Sequence, residues 1–211
     1  MKAALVGTGR MGQAIAWAMD KLSSLGHYCD LEELVLVDSA MENLRACAKA
    51  VSCSTTSVQS GNREYDYLFL EDNDIVISAL PYHQNEKLAR YCIDHRLPYC
   101  DLGGHVSTSN TINEYANKIG SVVMTDLGLA PGWINVLAEE GYRRTRSGRD
   151  PPTTVEMMVG GLPIKPNNYL KYSCTWSQDG LINEYKDQCA VLINGFNTLS
   201  AGMSGLVNID T

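Results

Sequence analysis

Along the first 126 residues, short apolar runs alternate with stretches whose apolar positions recur every three to four residues. The runs at Ala3–Val6, Leu34–Val37, Asp74–Leu80, Pro98–Leu102 and Ser121–Thr125 predict strands. Several are nearly all apolar, the pattern of strands buried on both faces of a parallel sheet. Between them, MENLRACAKAV places Met41, Leu44, Cys47, Ala48 and Val51 on one helical face, and NEKLARYCI does the same with Leu88, Tyr91 and Cys92. Alternation of this kind predicts βαβ units and a doubly wound α/β sheet. After Pro131 the pattern changes: a helix is expected through WINVLAEEGYRR, GRDPP breaks it, and TTVEMMVGGLP, YSCTW and QCAVLING read as strands separated by turns. The expected division is a first domain over residues 1–130 and a second, mainly β region over 131–211. That second region has too few strands and covering helices to close a core, so an incomplete domain is expected.

Composition narrows the class. With 45% hydrophobic and 19% charged residues in 211, the chain reads as an ordinary soluble protein. No apolar run approaches the roughly 20 residues that cross a bilayer, and the N-terminus lacks the order of a signal peptide. The seven cysteines are scattered without a CxxC pair, which predicts neither a disulfide framework nor a metal site. A reducing cytoplasm fits that usage. The net charge of −7 is spread along the chain, and YRRTRSGR at 142–149 is read as a basic helix end. Neither nucleic acid nor membrane is an expected partner.

The chemistry begins at Gly7-Thr8-Gly9-Arg10-Met11-Gly12, a G-x-G-x-x-G that follows one apolar run and opens a helix. In that setting Gly7 makes the tight turn, Gly9 admits a pyrophosphate to the backbone, and Gly12 packs helix on strand. The first-turn N–H groups then face the phosphates. The second strand ends in LVLVD, so Asp38 stands where a carboxylate accepts hydrogen bonds from the adenosine ribose and repels a 2′-phosphate. NAD is therefore the expected cofactor, in a Rossmann domain; NADP stays possible, because Ser39 and Arg10 are able to accept a phosphate. Two further strand ends point to the same crevice: Leu80, Pro81 and Tyr82 in one, Asp101, Gly103 and Gly104 in the other. His83 and His105 also follow strand ends, but as isolated turn histidines they are not assigned a catalytic role.

The most distinctive stretch is DLGLAPGWINVLA at 126–138. Together with YCDLGG, VGGLP and YSCTWSQDGLINEY, in collinear order, it resembles the saccharopine dehydrogenase-like family of NAD(P)-dependent amino-acid oxidoreductases. GLAPG and GLINEY are most similar to its lysine 6-dehydrogenase members. The resemblance implies a Rossmann domain carrying nicotinamide and a second α/β domain that closes over it and often forms a homodimer. It implies oxidation of L-lysine at its ε-carbon, giving an imine that hydrolyses to the semialdehyde and ammonia.

Such an oxidation requires the amine to be neutral when hydride leaves, so a base is needed. Asp126, at a strand end, is the expected base, and Tyr82 matches the family's PY turn over the nicotinamide. Leu129, Pro131 and Gly132, the Gly160-Gly161 turn, Trp176 as a pocket wall and Glu184 facing the lysine ammonium are the expected substrate contacts. Two alternatives stay open: a saccharopine or carboxynorspermidine substrate, and a non-catalytic dinucleotide-binding fragment. Family members continue beyond the point where this chain stops, so the group that grips the substrate carboxylate is not expected among these residues.

Overall fold

The computed structural model describes residues 1–27, 30–61, 67–146, 152, 154–165, 167–169, 171–173 and 178–204. The chain divides into two compact units, Met1–Val159 and Gly160–Thr211.

In the first unit, β1 (Lys2–Val6), β2 (Glu33–Asp38), β3 (Ser54–Gln59), β4 (Ile75–Ser78), β5 (Tyr99–Asp101) and β6 (Val123–Met124) form one sheet in the order β3-β2-β1-β4-β5-β6. Every neighbouring pair is parallel, with Val6 beside Val37 on one side and Ser78 on the other. Helices α1 (Arg10–Ser24), α2 (Met41–Ala50), α3 (Tyr82–Asp94) and α4 (Val106–Ile119) make the crossovers, and α5 (Trp133–Thr145) follows the sheet.

Side chains alternate across a strand, and the core follows that alternation. Ala3, Leu5, Leu34 and Leu36 bury against Ala16 of α1 and Leu44 and Cys47 of α2. Ala4, Val6, Val35, Val37 and Val76 bury on the opposite face with Leu88, Cys92 and Ile93 of α3 and Ile112 and Ala116 of α4. The strand order reverses between β1 and β4, which opens a crevice at the carboxyl ends of those strands.

Asp20 ties the α1 layer to the next connection. Buried at the end of α1, it accepts hydrogen bonds from Ser52 Oγ and from the backbone N–H groups of Ser52 and Cys53. Burial opposes its charge, but these donors together outweigh that penalty and hold its carboxyl below the ordinary value.

The second unit holds α6 (Gln178–Lys186) and a hairpin of β7 (Cys189–Ile193) and β8 (Phe196–Ser200). Asn194 and Gly195 both take positive φ in its two-residue turn, the geometry that matches strand twist.

One expectation is corrected: the described residues of TTVEMMVGGLP form no strand. GLINEY lies in α6, so the described elements of the second unit are a helix and an antiparallel hairpin. Of YSCTW, only Tyr172 and Ser173 are described, and they are not in a strand; the rest of that expected strand lies outside the described residues.

Candidate functional site

The glycine loop sits at the end of β1, with each glycine in a different environment. A side chain at Gly7 would press on the Ala79 carbonyl at 2.9 Å, and one at Gly12 would collide with the Gly7 carbonyl oxygen. These two are demanded by the protein's own packing. Gly9 is the opposite case: a Cβ there meets nothing within 4 Å. It is also the N-cap of α1, and no side chain caps that helix start. Open space over uncapped first-turn N–H groups is the arrangement that receives a phosphate. Arg10 and Met11 are exposed on the same first turn.

Asp38, at the end of β2, is bonded to this loop. Its Oδ2 accepts from the Thr8 N–H at 2.7 Å and from Thr8 Oγ at 3.1 Å, while Oδ1 accepts from the Ala40 N–H at 2.8 Å. Thr8 is fully buried, so its contribution is to hold the loop, whereas the half-buried Asp38 remains at the crevice edge. Ser39 is exposed beside it, its carbonyl accepting from Gln59 Nε2. Next to the glycine loop, Val6, Tyr67, Leu80, His83, Gln84, Lys87 and Leu88 line a cleft of about 260 Å³. Leu80 thus stands in the crevice, and Pro81 is the N-cap of α3. These residues fit a dinucleotide.

The ends of β5 and β6 are joined through Asp101. It is 2% exposed; its Oδ1 accepts from the N–H groups of Gly103 (2.8 Å) and Asp126 (3.2 Å), and its Oδ2 from Tyr99 Oη at 2.9 Å. Burial pushes its carboxyl pKa up, more than these donors lower it, and the nearby Asp126 charge adds to the rise. With both oxygens engaged inside the protein, Asp101 is a brace for the loop that carries Asp126 rather than a surface cofactor ligand.

Asp126 has a left-handed backbone (φ +64°), a conformation that Asp tolerates better than most residues. Its Oδ1 accepts from Ser109 Oγ at 2.9 Å and its Oδ2 from Thr125 Oγ1 at 3.2 Å. Gly103 is pressed against the same carboxylate, so closely that a Cβ there would overlap Asp126 Oδ1. Downstream, Gly128 bridges Gly132, and the Gly132 N–H donates to Asn135 Oδ1 at the start of α5; Leu129 and Pro131 are exposed on this turn.

Tyr82 opens α3 and stacks on His105, with ring centroids 5.4 Å apart and planes inclined by 17°. Nδ1 of His105 lies 2.8 Å from Ser107 Oγ. The sequence treats His105 as isolated; the adjacency of β4 and β5 supplies its neighbours. Gly160, Gly161 and Glu184 belong to the second unit, Glu184 on α6, and Trp176 lies outside the described residues. Among the described residues, no group of three or more His, Cys, Asp or Glu side chains is placed to hold a metal. No described helix is long and apolar enough to cross a membrane.

Residues 3–126 match the saccharopine dehydrogenase NADP binding domain and residues 128–206 the saccharopine dehydrogenase C-terminal domain. The chain belongs to the saccharopine dehydrogenase family. Its first part is the family's NAD(P)-binding domain. Alpha-aminoadipic semialdehyde synthase of rat mitochondria (Rattus norvegicus) is 28% identical over 170 residues, covering 77% of this chain and 18% of that protein. The saccharopine dehydrogenase [NADP(+), L-glutamate-forming] of Schizosaccharomyces pombe is 26% identical over 135 residues, covering 60% and 28%. This saccharopine dehydrogenase family chain therefore spans less than a third of the length of either curated relative.

The apo saccharopine dehydrogenase (L-Glu forming) of Saccharomyces cerevisiae shares the fold at TM-score 0.63 and 19% identity, covering 95% of this chain and 44% of that one. A WlbA dehydrogenase, in complex with NADH and UDP-GlcNAcA, shares it at TM-score 0.51 and 19% identity, over 71% and 41%.

Proposed function

We propose that this chain carries the cofactor-binding and reacting portion of an NAD-dependent amino-acid oxidoreductase acting on a CH–NH bond, with L-lysine as the amine. The observation that carries the reading is the convergence on one crevice of an uncapped glycine loop, Asp38, and the Tyr82 and Asp126 strand ends. Bound nicotinamide would supply the hydride acceptor. Gly9, Arg10, Met11 and Gly12 would present N–H groups to its pyrophosphate, and the Asp38 carboxylate would accept from the ribose hydroxyls. The cleft between the glycine loop and α3, lined by Leu80 and Tyr67, suits a flat heteroaromatic ring.

Asp126, expected from the sequence as the base, would instead supply negative charge toward the reacting nitrogen, because both its oxygens already accept from Ser109 and Thr125 hydroxyls, which fix its orientation. A fixed anion aimed at developing positive charge lowers the barrier to iminium formation. Leu129, Pro131 and Gly132 form the adjoining substrate turn. The second domain begins after residue 130, forms a homodimer, and the protein acts in the cytoplasm.

The names of the relatives favour a second reading with equal force, in which saccharopine replaces lysine. Incubation with L-lysine and NAD, followed at the absorbance of reduced nicotinamide, separates them. Lysine alone reduces the cofactor under the first reading; under the second, saccharopine supplied with oxidised cofactor reduces it and lysine alone does not. Dinucleotide binding without turnover on either mixture would identify a binding fragment.

A further inference from the structure

We propose that His105 is the proton acceptor of this site and faces the nicotinamide together with Tyr82. The proposal rests on the amine oxidoreductase reading above. The residues are far apart in sequence, but β4 and β5 are parallel neighbours, so the segments that leave their carboxyl ends emerge side by side. Tyr82 opens the helix after β4 and His105 is the N-cap of the helix after β5. Gly104 lets the two approach: a Cβ there would stand 3.1 Å from Tyr82 Cβ. The rings stack nearly parallel, His105 is half-buried, and Nδ1 meets Ser107 Oγ. That contact orients the imidazole about its stem; with Nδ1–H donating to Ser107 Oγ, Nε2 would be left to accept a proton.

The surrounding groups explain the division of labour with Asp126. Both oxygens of Asp126 already accept from hydroxyls, which suits a fixed charge. His105 meets the Tyr82 ring of α3 and Ser107 of its own helix; the Tyr82 ring in turn stands edge-on to His83, and Asp126 lies against Gly103, two residues before His105. In the first step, the substrate ammonium N–H bond breaks and its proton moves to His105, leaving the nitrogen lone pair. In the second, the neighbouring carbon loses a hydride to the oxidised cofactor, and the lone pair completes a C=N bond. The substrate is oxidised by two electrons and the cofactor reduced by two.

His105→Asn tests the assignment, because Asn is among the best N-cap residues and preserves the helix start. Its turnover is expected to fall on the order of 100-fold or more, the usual worth of a general base, with dinucleotide affinity retained. Wild-type turnover should fall toward acid as the proton acceptor is lost to protonation; the variant should lose this limb, whereas Asp126→Asn should keep it. A readout apart from activity comes from imidazole NMR: the His105 signal, assigned by its loss in His105→Asn, should move on adding NADH and stay with ADP-ribose.

Retention of the acidic limb in His105→Asn, or an unmoved His105 signal in protein that binds NADH, overturns the proposal and leaves the oxidoreductase reading standing. Absence of wild-type turnover on every amine overturns that reading and the proton transfer with it.

Discussion

Replacing Gly9 by Ala separates folding from cofactor binding. In the protein without ligand, the added methyl meets nothing within 4 Å, and φ at this position is −65°, a value open to any residue. Ala restricts the unfolded chain, worth about 0.4 to 1 kcal/mol of stability, but is a poorer N-cap than Gly by a few tenths or more. These terms oppose each other, so stability should change by less than about 1 kcal/mol. The same methyl occupies the space through which a pyrophosphate reaches the α1 start. Loss of one charge-assisted hydrogen bond costs about 1.5 to 3 kcal/mol, which corresponds to a roughly 10- to 150-fold weaker Kd.

Gly12→Ala is the matched contrast. Its Cβ would overlap the Gly7 carbonyl oxygen, so it should lower both Tm and affinity. Thermal unfolding and NADH fluorescence titration measure the two quantities on the same samples. Unchanged NADH affinity in Gly9→Ala would refute the phosphate-cradle assignment, and a large fall in Tm would refute the open-space geometry.

The other predictions concern carboxylates. Asp38→Asn, which keeps the shape and removes the charge, should shift preference toward NADP about tenfold or more, because like-charge repulsion of the 2′-phosphate disappears; paired titrations with NADH and NADPH check it. Asp126→Asn should depress turnover far more than it weakens NAD binding, and an equal fall in both would make its role structural. Asp20 has a depressed native pKa, so its stabilisation is present above the unfolded carboxylate value and lost as pH falls through the native one. Asp20→Asn should therefore flatten the acid side of the stability profile, measured by urea unfolding between about pH 2 and 6.

Much of the first unit was legible because its physics is local. Ala3–Val6 and Leu34–Val37 are buried on both faces, and such strands announce themselves as continuous apolar runs. β3 was missed because STTSVQ is polar; it is an edge strand defined by its ladder to β2, not by burial. α4 was missed for a similar reason, since only Ser109, Ile112 and Ala116 of its residues are buried. In the second unit, QCAVLING gave β7 correctly, while GLINEY proved helical and the apolar stretch at 154–163 found no partner strand.

The site divides the same way. The glycine spacing and Asp38 are readable because one βαβ unit contains them. The buried role of Asp101 and the company of His105 depend on which strands lie next to each other, and strand order is not written in any local pattern.

The bond between Asp38 and Thr8 sets the terms on which this site can be redesigned. The carboxylate proposed to meet the ribose is also the tie between the ends of β1 and β2, accepting both the amide and the hydroxyl of Thr8. A basic residue introduced to welcome a 2′-phosphate would remove that acceptor and leave a buried threonine with two donors to satisfy. Changing cofactor preference through a cation thus calls for coordinated substitution at 8 and 38. A designer, or a lineage, is steered first toward neutral acceptors such as asparagine at position 38, with the positive charge recruited from outside the tie.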